Sequence, residues 1–428
     1  MIPYIEHLGY SKQATNGRSA PHSTVEQAIE AIGRGEIVIV ADDPGRENEG
    51  DFLMAAEKVT PEAVNFMVTH GRGIVCLPVT GERASHLGLR PMVADCTEAM
   101  GSAFTVSIDL REPRNTGTSA FDRAACISKV TQSDARPEDF CSPGHVFPLV
   151  ARDGGVLERP GHTEAAVDLA RLAGLAPAGL ICEILNPDGS MARMDTLERL
   201  AEQHGLHLIT VADLIAYRLE SENLVRREAE ARIPTAHGEF TAVAFHSDLD
   251  GFDHLALVAG DPTGEDVLVR IHSECLTGDL GSLRCDCAGQ LKEAVRTIGA
   301  TGRGIVVYLR GHEGRGIGIA EKLRAYALQD QGADTVDANV QLGHSPDARS
   351  YDTAAQILRD LGATTIRLLT NNPAKCEALE AHGIPVVERI PLQTAPTEQN
   401  FRYLETKRDR MGHTLTLDSD LVELLDPA

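Results

Sequence analysis

Short β-branched runs alternate with helix-length stretches along the first half of this 428-residue chain, and that alternation restricts it to α/β architecture. EIVIVADD (36–43), GIVCLPV (73–79), AFTVSIDL (103–110) and GLICEIL (179–185) read as strands. PEAVNFMVTH (61–70) and HTEAAVDLARLAG (162–174) read as helices, and TLERLAEQHG (196–205) and HLITVADLIAYRLE (207–220) follow the last strand. Helices of this length between strands favour an α/β sandwich. The second half restarts with FTAVAF (240–245), LALVAG (255–260) and VLVRIH (267–272), spaced by turn residues as in an antiparallel sheet. Helices at 290–300, 319–332 and 353–363 are then interleaved with strands GIVVYL (304–309) and TIRLLT (365–370), an α+β pattern. Between the halves, LESENLVRREAEARIP is charged, helix-prone and ends at a proline, which marks a junction. The expected division is a loose tail over 1–21, a first domain over 22–218, a linker over 219–234 and a second domain over 235–428. No internal repeat relates the halves.

Lys and Arg number 40 against 63 Asp and Glu, a net charge of −23. The field of such a surface repels nucleic acid and anionic membranes, so neither is expected as a partner. Phosphorylated small molecules need only a local cluster of cations and amides. No stretch approaches the length of a membrane span, and the opening residues lack the layout of a signal peptide. Of nine cysteines, six are scattered singly, as expected of reduced thiols in the cytoplasm.

The other three, Cys275, Cys285 and Cys287, fall within HSECLTGDLGSLRCDC. Converging thiols of this kind suit a tetrahedral ion with one open position, the layout of catalytic zinc. Spacing leaves open two alternatives, three inert buried cysteines or a structural zinc closed by a fourth ligand such as His272. Together with YLRGHEGRGIG (308–318), RAYALQDQG (324–332), DTVDAN (334–339), SPDARSYD and LLTNNPAK (368–375), the segment closely resembles GTP cyclohydrolase II over residues 235–415. That resemblance implies GTP as substrate and a diaminopyrimidine ribosyl phosphate, formate and pyrophosphate as products. It also implies Zn²⁺ on Cys275, Cys285 and Cys287, activating water for attack at C8 of the guanine. By the same resemblance Arg270, Ile271, His272, Ser273, Glu274 and Gln290 line the nucleotide pocket. Glu313, Gly314, Arg315, Thr335, Thr370 and Lys375 make further GTP contacts, with Arg315 on phosphate. Tyr326 lies near the reacting base, Asp347 accepts a proton, and Arg349 is the proposed nucleophile toward the α-phosphate. A guanidinium is better suited to stabilising a phosphoryl transition state than to attacking it. The interval from the first to the second cysteine is one residue shorter than usual, and Ala288 replaces a usual glycine.

In the first half, GRENEGD (45–51) spaces Glu47, Glu49 and Asp51 two apart, so an extended segment turns all three carboxylates one way, as hard ligands for Mg²⁺. A solvated acidic loop is the plainer alternative. ERPGHTEAAVDLARLAG puts Arg159, His162 and Thr163 at a helix start, where Thr163 can cap and the amides favour phosphate. A capping threonine and a surface histidine would need no function. With SPGHVFPL (142–149) and GLICEIL, these clusters resemble 3,4-dihydroxy-2-butanone 4-phosphate synthase over about residues 22–218. The resemblance implies conversion of ribulose 5-phosphate to a four-carbon phosphate and formate with Mg²⁺ or Mn²⁺. Glu47 and His162 would hold the metal. Arg46, Glu47, Asp51, Arg159, Pro160, Gly161, His162, Thr163 and Glu183 would bind the sugar phosphate, with His145 and Glu183 as the acid/base pair. Asp42 and Cys76 match positions near that site. Pro44-Gly45, Ser142 and Cys96 depart from the family pattern.

The two domains in this order resemble the bifunctional riboflavin biosynthesis family, which implies two precursor reactions and a homodimer or larger assembly. Two other readings stand beside it. One keeps the GTP reaction with an impaired first half, serving a specialised pathway. The other is a non-catalytic GTP-binding regulator with structural zinc, against which Tyr326, Asp347 and Arg349 count.

Overall fold

The computed structural model describes residues 22–97, 100–112 and 116–417, so the expected tail over 1–21 lies outside the described residues. Two compact units divide the chain, one ending at Arg218 and the other starting at Leu219. The first contains β1 (Val38–Ala41), β2 (Gly50–Ala55), β3 (Cys76–Val79), β4 (Ile108–Leu110), β5 (Phe140–Val150), β6 (Gly179–Glu183) and β7 (His207–Thr210). They form one mixed sheet in the order β4-β5-β3-β6-β2-β1-β7. Its helices are α1 (Val25–Arg34), α2 (Pro61–His70), α3 (Gly81–His86), α4 (Ala120–Thr131), α5 (His162–Leu172), α6 (Met194–His204) and most of α7 (Val211–Ser221), in which the division falls. Every residue of β1, β2 and β3 is buried, which is why these runs read as apolar throughout. Ile39, Phe52, Met54, Leu77 and Leu180 form the core on one face. The alternate residues of β2, Asp51 and Leu53, therefore point to the other face.

The second unit holds β8 (Val225–Thr235), β9 (Gly238–Ser247), β10 (Asp253–Ala259), β11 (Val267–Ser273), β12 (Gly304–Leu309), β13 (Ile366–Leu369) and β14 (Val386–Ile390), in the order β14-β13-β11-β12-β10-β9-β8. Its helices are α8 (Leu276–Asp279), α9 (Cys287–Thr301), α10 (Gly318–Gln329), α11 (Thr335–Gln341), α12 (Asp352–Asp360), α13 (Pro373–Ala381) and α14 (Phe401–Met411). The sheet is covered on both faces. Val267, Val269 and Ile271 of β11 pack with Ala354, Ile357 and Leu358 of α12. Leu268 faces the other way, with Ala294 and Ile298 of α9. The same alternation sends Arg270 and His272 toward the α9 side, where the second site is built.

Three expectations are revised. Residues 225–234 are not helix-prone linker but most of β8, which pairs with β9 from Val225↔Ser247 to Thr235↔Gly238. Nearly all its side chains are exposed, so no apolar period marks it; the ladder offered by the next segment overrides its local preference. VLVRIH is not an antiparallel neighbour of LALVAG. β12 lies between them, and β11 runs parallel to β12 and β13, because α9 makes the crossover that parallel strands require. AFTVSIDL is continuous strand only at Ile108–Leu110; before it, Phe104 and Thr105 make isolated bridges to Leu149 and Pro91. Among the described residues, no helix is long and apolar enough to cross a membrane.

Candidate active sites

At the end of β1 the buried carboxylate of Asp42 organises the chain that follows. Its Oδ2 accepts from Arg46 Nη1 at 2.8 Å and from the Glu47 amide at 3.1 Å, and its Oδ1 accepts from the Glu49 amide at 2.7 Å. Asn48 adopts φ +56°, so residues 45–49 curl. The expected extended segment is thereby corrected: a turn, not a period of two, delivers Glu47. Helix α5 starts at His162 with Gly161 as its N-cap, which places Thr163 inside the first turn and removes its expected capping role. A Cβ on Gly161 would stand 2.4 Å from Arg159 Nη1, so a larger residue there would displace that guanidinium.

These elements bring ligand atoms of Asp42, Glu47 and His162 within 4.8 Å of one another. Asp51 Oδ1 and His162 Nε2 are buried without a hydrogen-bond partner among the described residues. Burial, then the charges of Glu183, Glu47, Glu49 and Asp42, push the Asp51 carboxyl well above its ordinary range. Burial pushes the His162 imidazole down to about 4. Crowded acceptors and an orphaned neutral imidazole fit a hard divalent cation such as Mg²⁺ or Mn²⁺, with Asp42 as a further candidate ligand. Glu183 sits opposite Asp51 across β2 and β6, and its Oε2 accepts from the Ile74 amide at 2.7 Å. Arg159, beside Pro160, is held by Glu164 at 2.7 Å and Ser102 Oγ at 3.1 Å. His145 stands half-exposed on β5. Its ring Nδ1 lies 2.8 Å from Asp109 Oδ2, and no hydrogen bond among the described residues joins it to Glu47 or Glu183.

In the second unit, Cys275 lies two residues past the end of β11 as the N-cap of α8, and Cys287 is the first residue of α9. The three sulfurs of Cys275, Cys285 and Cys287 lie within 4.8 Å of one another, with Cys275 and Cys285 at 3.7 Å. The shortened loop does not prevent their convergence. His272 stays outside the cluster, with both ring nitrogens buried and without a hydrogen-bond partner among the described residues. The fourth-ligand role considered for it is not supported, and three sulfurs with a free position fit zinc of the catalytic kind. A Cβ on Gly278 would meet two of the sulfurs at 2.9 Å, so glycine forms the floor of the cradle. Lys322 Nζ donates to Cys275 Sγ at 3.1 Å and also to Glu313. Hydrogen bonds from Cys285 and Cys287, with Lys322, hold the Cys275 thiol far below the usual thiol range. A metal-ready thiolate results.

Beside the sulfurs opens a cavity lined by Arg270, Gln290, Arg315, Tyr326, Thr335, Arg349, Thr370 and Lys375. Arg270 Nη2 donates to Gln290 Oε1 at 2.7 Å, and Lys375 Nζ donates to the Ile271 carbonyl at 2.9 Å. Arg349 pairs with Asp347 through Nε at 2.7 Å and reaches Ser273 Oγ at 3.3 Å. Arg315 donates to Thr335 Oγ1 at 2.6 Å, Glu274 accepts from the Gly311 amide at 2.7 Å, and Tyr326 lies 3.3 Å from Thr277 Oγ1. Gly314 takes φ +62° within the turn that precedes α10. Lys375 is buried without a carboxylate partner among the described residues. Burial, then Arg270 and Arg349, push its ammonium well below the usual lysine range. A buried unpaired cation among further cations, in a chain of net charge −23, is a place for a polyanion.

The cavity also contains residues that sequence reasoning did not single out: His312, Lys322, Asn371, Asn372, Tyr403, Lys407 and His413. His312, Lys322, Asn371 and Asn372 lie within or beside the motifs quoted above. Lys407 gave a weaker sign, as the third member of a buried i, i+3 row after Phe401 and Leu404.

The family signature of 3,4-dihydroxy-2-butanone 4-phosphate synthase matches residues 26–217, and that of GTP cyclohydrolase II matches residues 226–391. A riboflavin biosynthesis protein RibBA of Nocardia farcinica is 56% identical over 402 residues, covering 93% of this chain and 97% of the relative. That of Aquifex aeolicus is 55% identical over 395 residues, covering 91% and 97%. A chloroplastic bifunctional riboflavin biosynthesis protein of Arabidopsis thaliana is 52% identical over 410 residues, covering 94% and 76%. Among solved structures, RibBX of A. baumannii, a two-domain 3,4-dihydroxy-2-butanone 4-phosphate synthase, is 38% identical with a TM-score of 0.63, covering 87% of this chain and all of that one.

Proposed function

We propose residue roles from the premise that this chain belongs to the bifunctional riboflavin biosynthesis family, in which 3,4-dihydroxy-2-butanone 4-phosphate synthase precedes GTP cyclohydrolase II. It is an enzyme with two reactions. One opens GTP to 2,5-diamino-6-(5-phosphoribosylamino)pyrimidin-4-one with release of formate and pyrophosphate. The other converts ribulose 5-phosphate to 3,4-dihydroxy-2-butanone 4-phosphate and formate.

When bound, zinc supplies an activated water for the guanine ring, and Mg²⁺ or Mn²⁺ neutralises charge developing on the sugar. The side chains do the rest. In our reading Arg270, Arg315, Lys375 and Thr335 receive the phosphates, while Gln290 and the Arg270–Glu274 strand end position the nucleotide. Tyr326 faces the reacting base, Asp347 takes up a proton, and Arg349 stabilises the phosphoryl transition state from its ion pair with Asp347. In the other unit, Arg46 and residues 159–163 hold the sugar phosphate. Glu183 and His145 move protons, the latter oriented by Asp109.

The observation that carries the GTP reading is the juxtaposition of three converging sulfurs with the unpaired, buried Lys375 in one cavity. For the sugar site, the Asp42 turn closes through Arg46 despite Pro44-Gly45, which favours an active first half. We extend the reading to a cytosolic homodimer or larger assembly, which light scattering on the eluting protein tests. Two assays on the purified chain test the chemistry. Pyrophosphate and formate are expected from GTP with Zn²⁺, and formate from ribulose 5-phosphate with Mg²⁺. Turnover of GTP alone supports the impaired-half alternative, and GTP binding without turnover supports a regulator.

A further inference from the structure

The Cys-x-Cys turn is held by a helix that lies past residue 391, where the GTP cyclohydrolase II match ends. Helix α14 (Phe401–Met411) begins ten residues beyond the end of the GTP cyclohydrolase II match at 391, yet it contributes Lys407 to the cavity wall. Lys407 Nζ donates to Asp286 Oδ1 at 2.8 Å, and both residues are buried. Asp286 is the residue between Cys285 and Cys287. Its other oxygen, Oδ2, accepts from Gln290 Nε2 at 2.6 Å, and Gln290 Oε1 accepts from Arg270 Nη2 at 2.7 Å. Arg270 is anchored in turn on the Leu369 carbonyl at 2.9 Å. An unbroken row of charge-assisted bonds thus runs from the C-terminal helix, through the turn that carries two sulfurs, to the cavity floor.

The helix itself is tied down. Arg410 donates to Asp337 at 2.8 Å and to Asp334, and the Thr414 amide donates to the Asn371 carbonyl at 2.9 Å. Lys407 Nζ also lies 4.4 Å from the ring centre of Tyr403. Burying an ammonium and a carboxylate together is a poor route to stability, because apolar residues of similar volume pack at lower cost. What such a pair does provide is direction: with Lys407 on one oxygen, the Asp286 carboxylate is held so that the other accepts from Gln290.

We infer that Lys407 is a positioning residue for the GTP reaction, fixing through Asp286 both the Cys285–Cys287 turn and the amide of Gln290. The assignment rests on the zinc and GTP reading proposed above. Without Lys407, the buried Asp286 carboxylate loses its only cationic hydrogen-bond partner among the described residues. It then competes for Gln290 and Arg270, and the turn loosens.

The test uses the full-length protein as K407M, D286N and the double variant, each followed by thermal melting. Zinc release to a colorimetric chelator and the Kd for GTP by calorimetry are the readouts. K407M is expected to release zinc about tenfold faster and to bind GTP about tenfold more weakly. The double variant, with no buried charge left unpaired, should recover part of both losses. Release and Kd within twofold of wild type in K407M overturn the assignment, as do losses that simply multiply in the double variant. Should K407M fail to fold, D286N reads the pair from its other end, and a wild-type release rate there also overturns it. A wild-type protein that holds no zinc overturns this inference together with the proposed function. One that holds zinc but leaves GTP intact overturns only the function, since the release rate still reports on the pair.

Discussion

Lys322 places its ammonium 3.1 Å from the sulfur of Cys275, and the same ammonium is held by Glu313. A cation at this distance lowers the proton affinity of the thiolate and offsets part of the negative charge of three sulfurs around one divalent ion. K322M is therefore expected to lower GTP turnover by about 10- to 100-fold and to weaken zinc retention on dialysis against a chelator. Metal content and kcat, measured on one preparation, check this; a variant that keeps both would refute it.

Lys375 leads to an unusual pairing of effects. Its buried amine has only the Ile271 carbonyl as hydrogen-bond partner among the described residues, so holding a proton there costs desolvation in the substrate-free protein. K375M should melt no lower than wild type while its KM for GTP rises by about 10-fold or more. A variant that melts lower and binds GTP normally would contradict the phosphate role.

The two chemistries should be separable. E47Q removes one of the carboxylates that converge with Asp42 and His162, and formate from ribulose 5-phosphate should fall by about 100-fold or more. GTP turnover by the same sample should persist. C287S should do the reverse, abolishing ring opening while the sugar reaction continues. If either substitution abolishes both activities in a folded protein, the division of labour is wrong.

His312 provides a pH signature. Burial, then Arg349 and Lys375, push its imidazole down to about 3, against an ordinary value of about 6.5 in the unfolded chain. On lowering the pH the unfolded chain takes up the proton first. The stability contributed by keeping His312 neutral is therefore complete above about pH 6.5 and declines as the pH falls toward about 3, by on the order of a few kcal/mol. Urea melts of wild type and H312Q across that range should converge toward acid. Parallel curves would exclude the effect.

How far the sequence predicted these sites depends on where each side chain keeps its hydrogen bonds. β1, β3 and β12 announce themselves because every position is apolar and buried, or nearly so. β8 does not, because its side chains remain in water and only its backbone pairs. The sulfurs of Cys275, Cys285 and Cys287 converge as their spacing suggests. Glu47 is the right residue type for a different reason, since Asp42 folds the segment into a turn that no alternation of carboxylates encodes. Lys322 reads as an ordinary charge on a helix, and Lys407 is marked only by its place in a row with Phe401 and Leu404. Only the folded chain reveals that each is turned inward onto an anionic partner.

Cys287 is the first residue of α9, and further along the same helix Ala294 and Ile298 are wedged against Leu268 and Val306. The helix is thus a lever with a sulfur at one end and the hydrophobic interior at the other. Shaving a methylene from Ile298 to tune thermal robustness would tip the sulfur as well, so changes in that apolar layer are inherited by the chemistry.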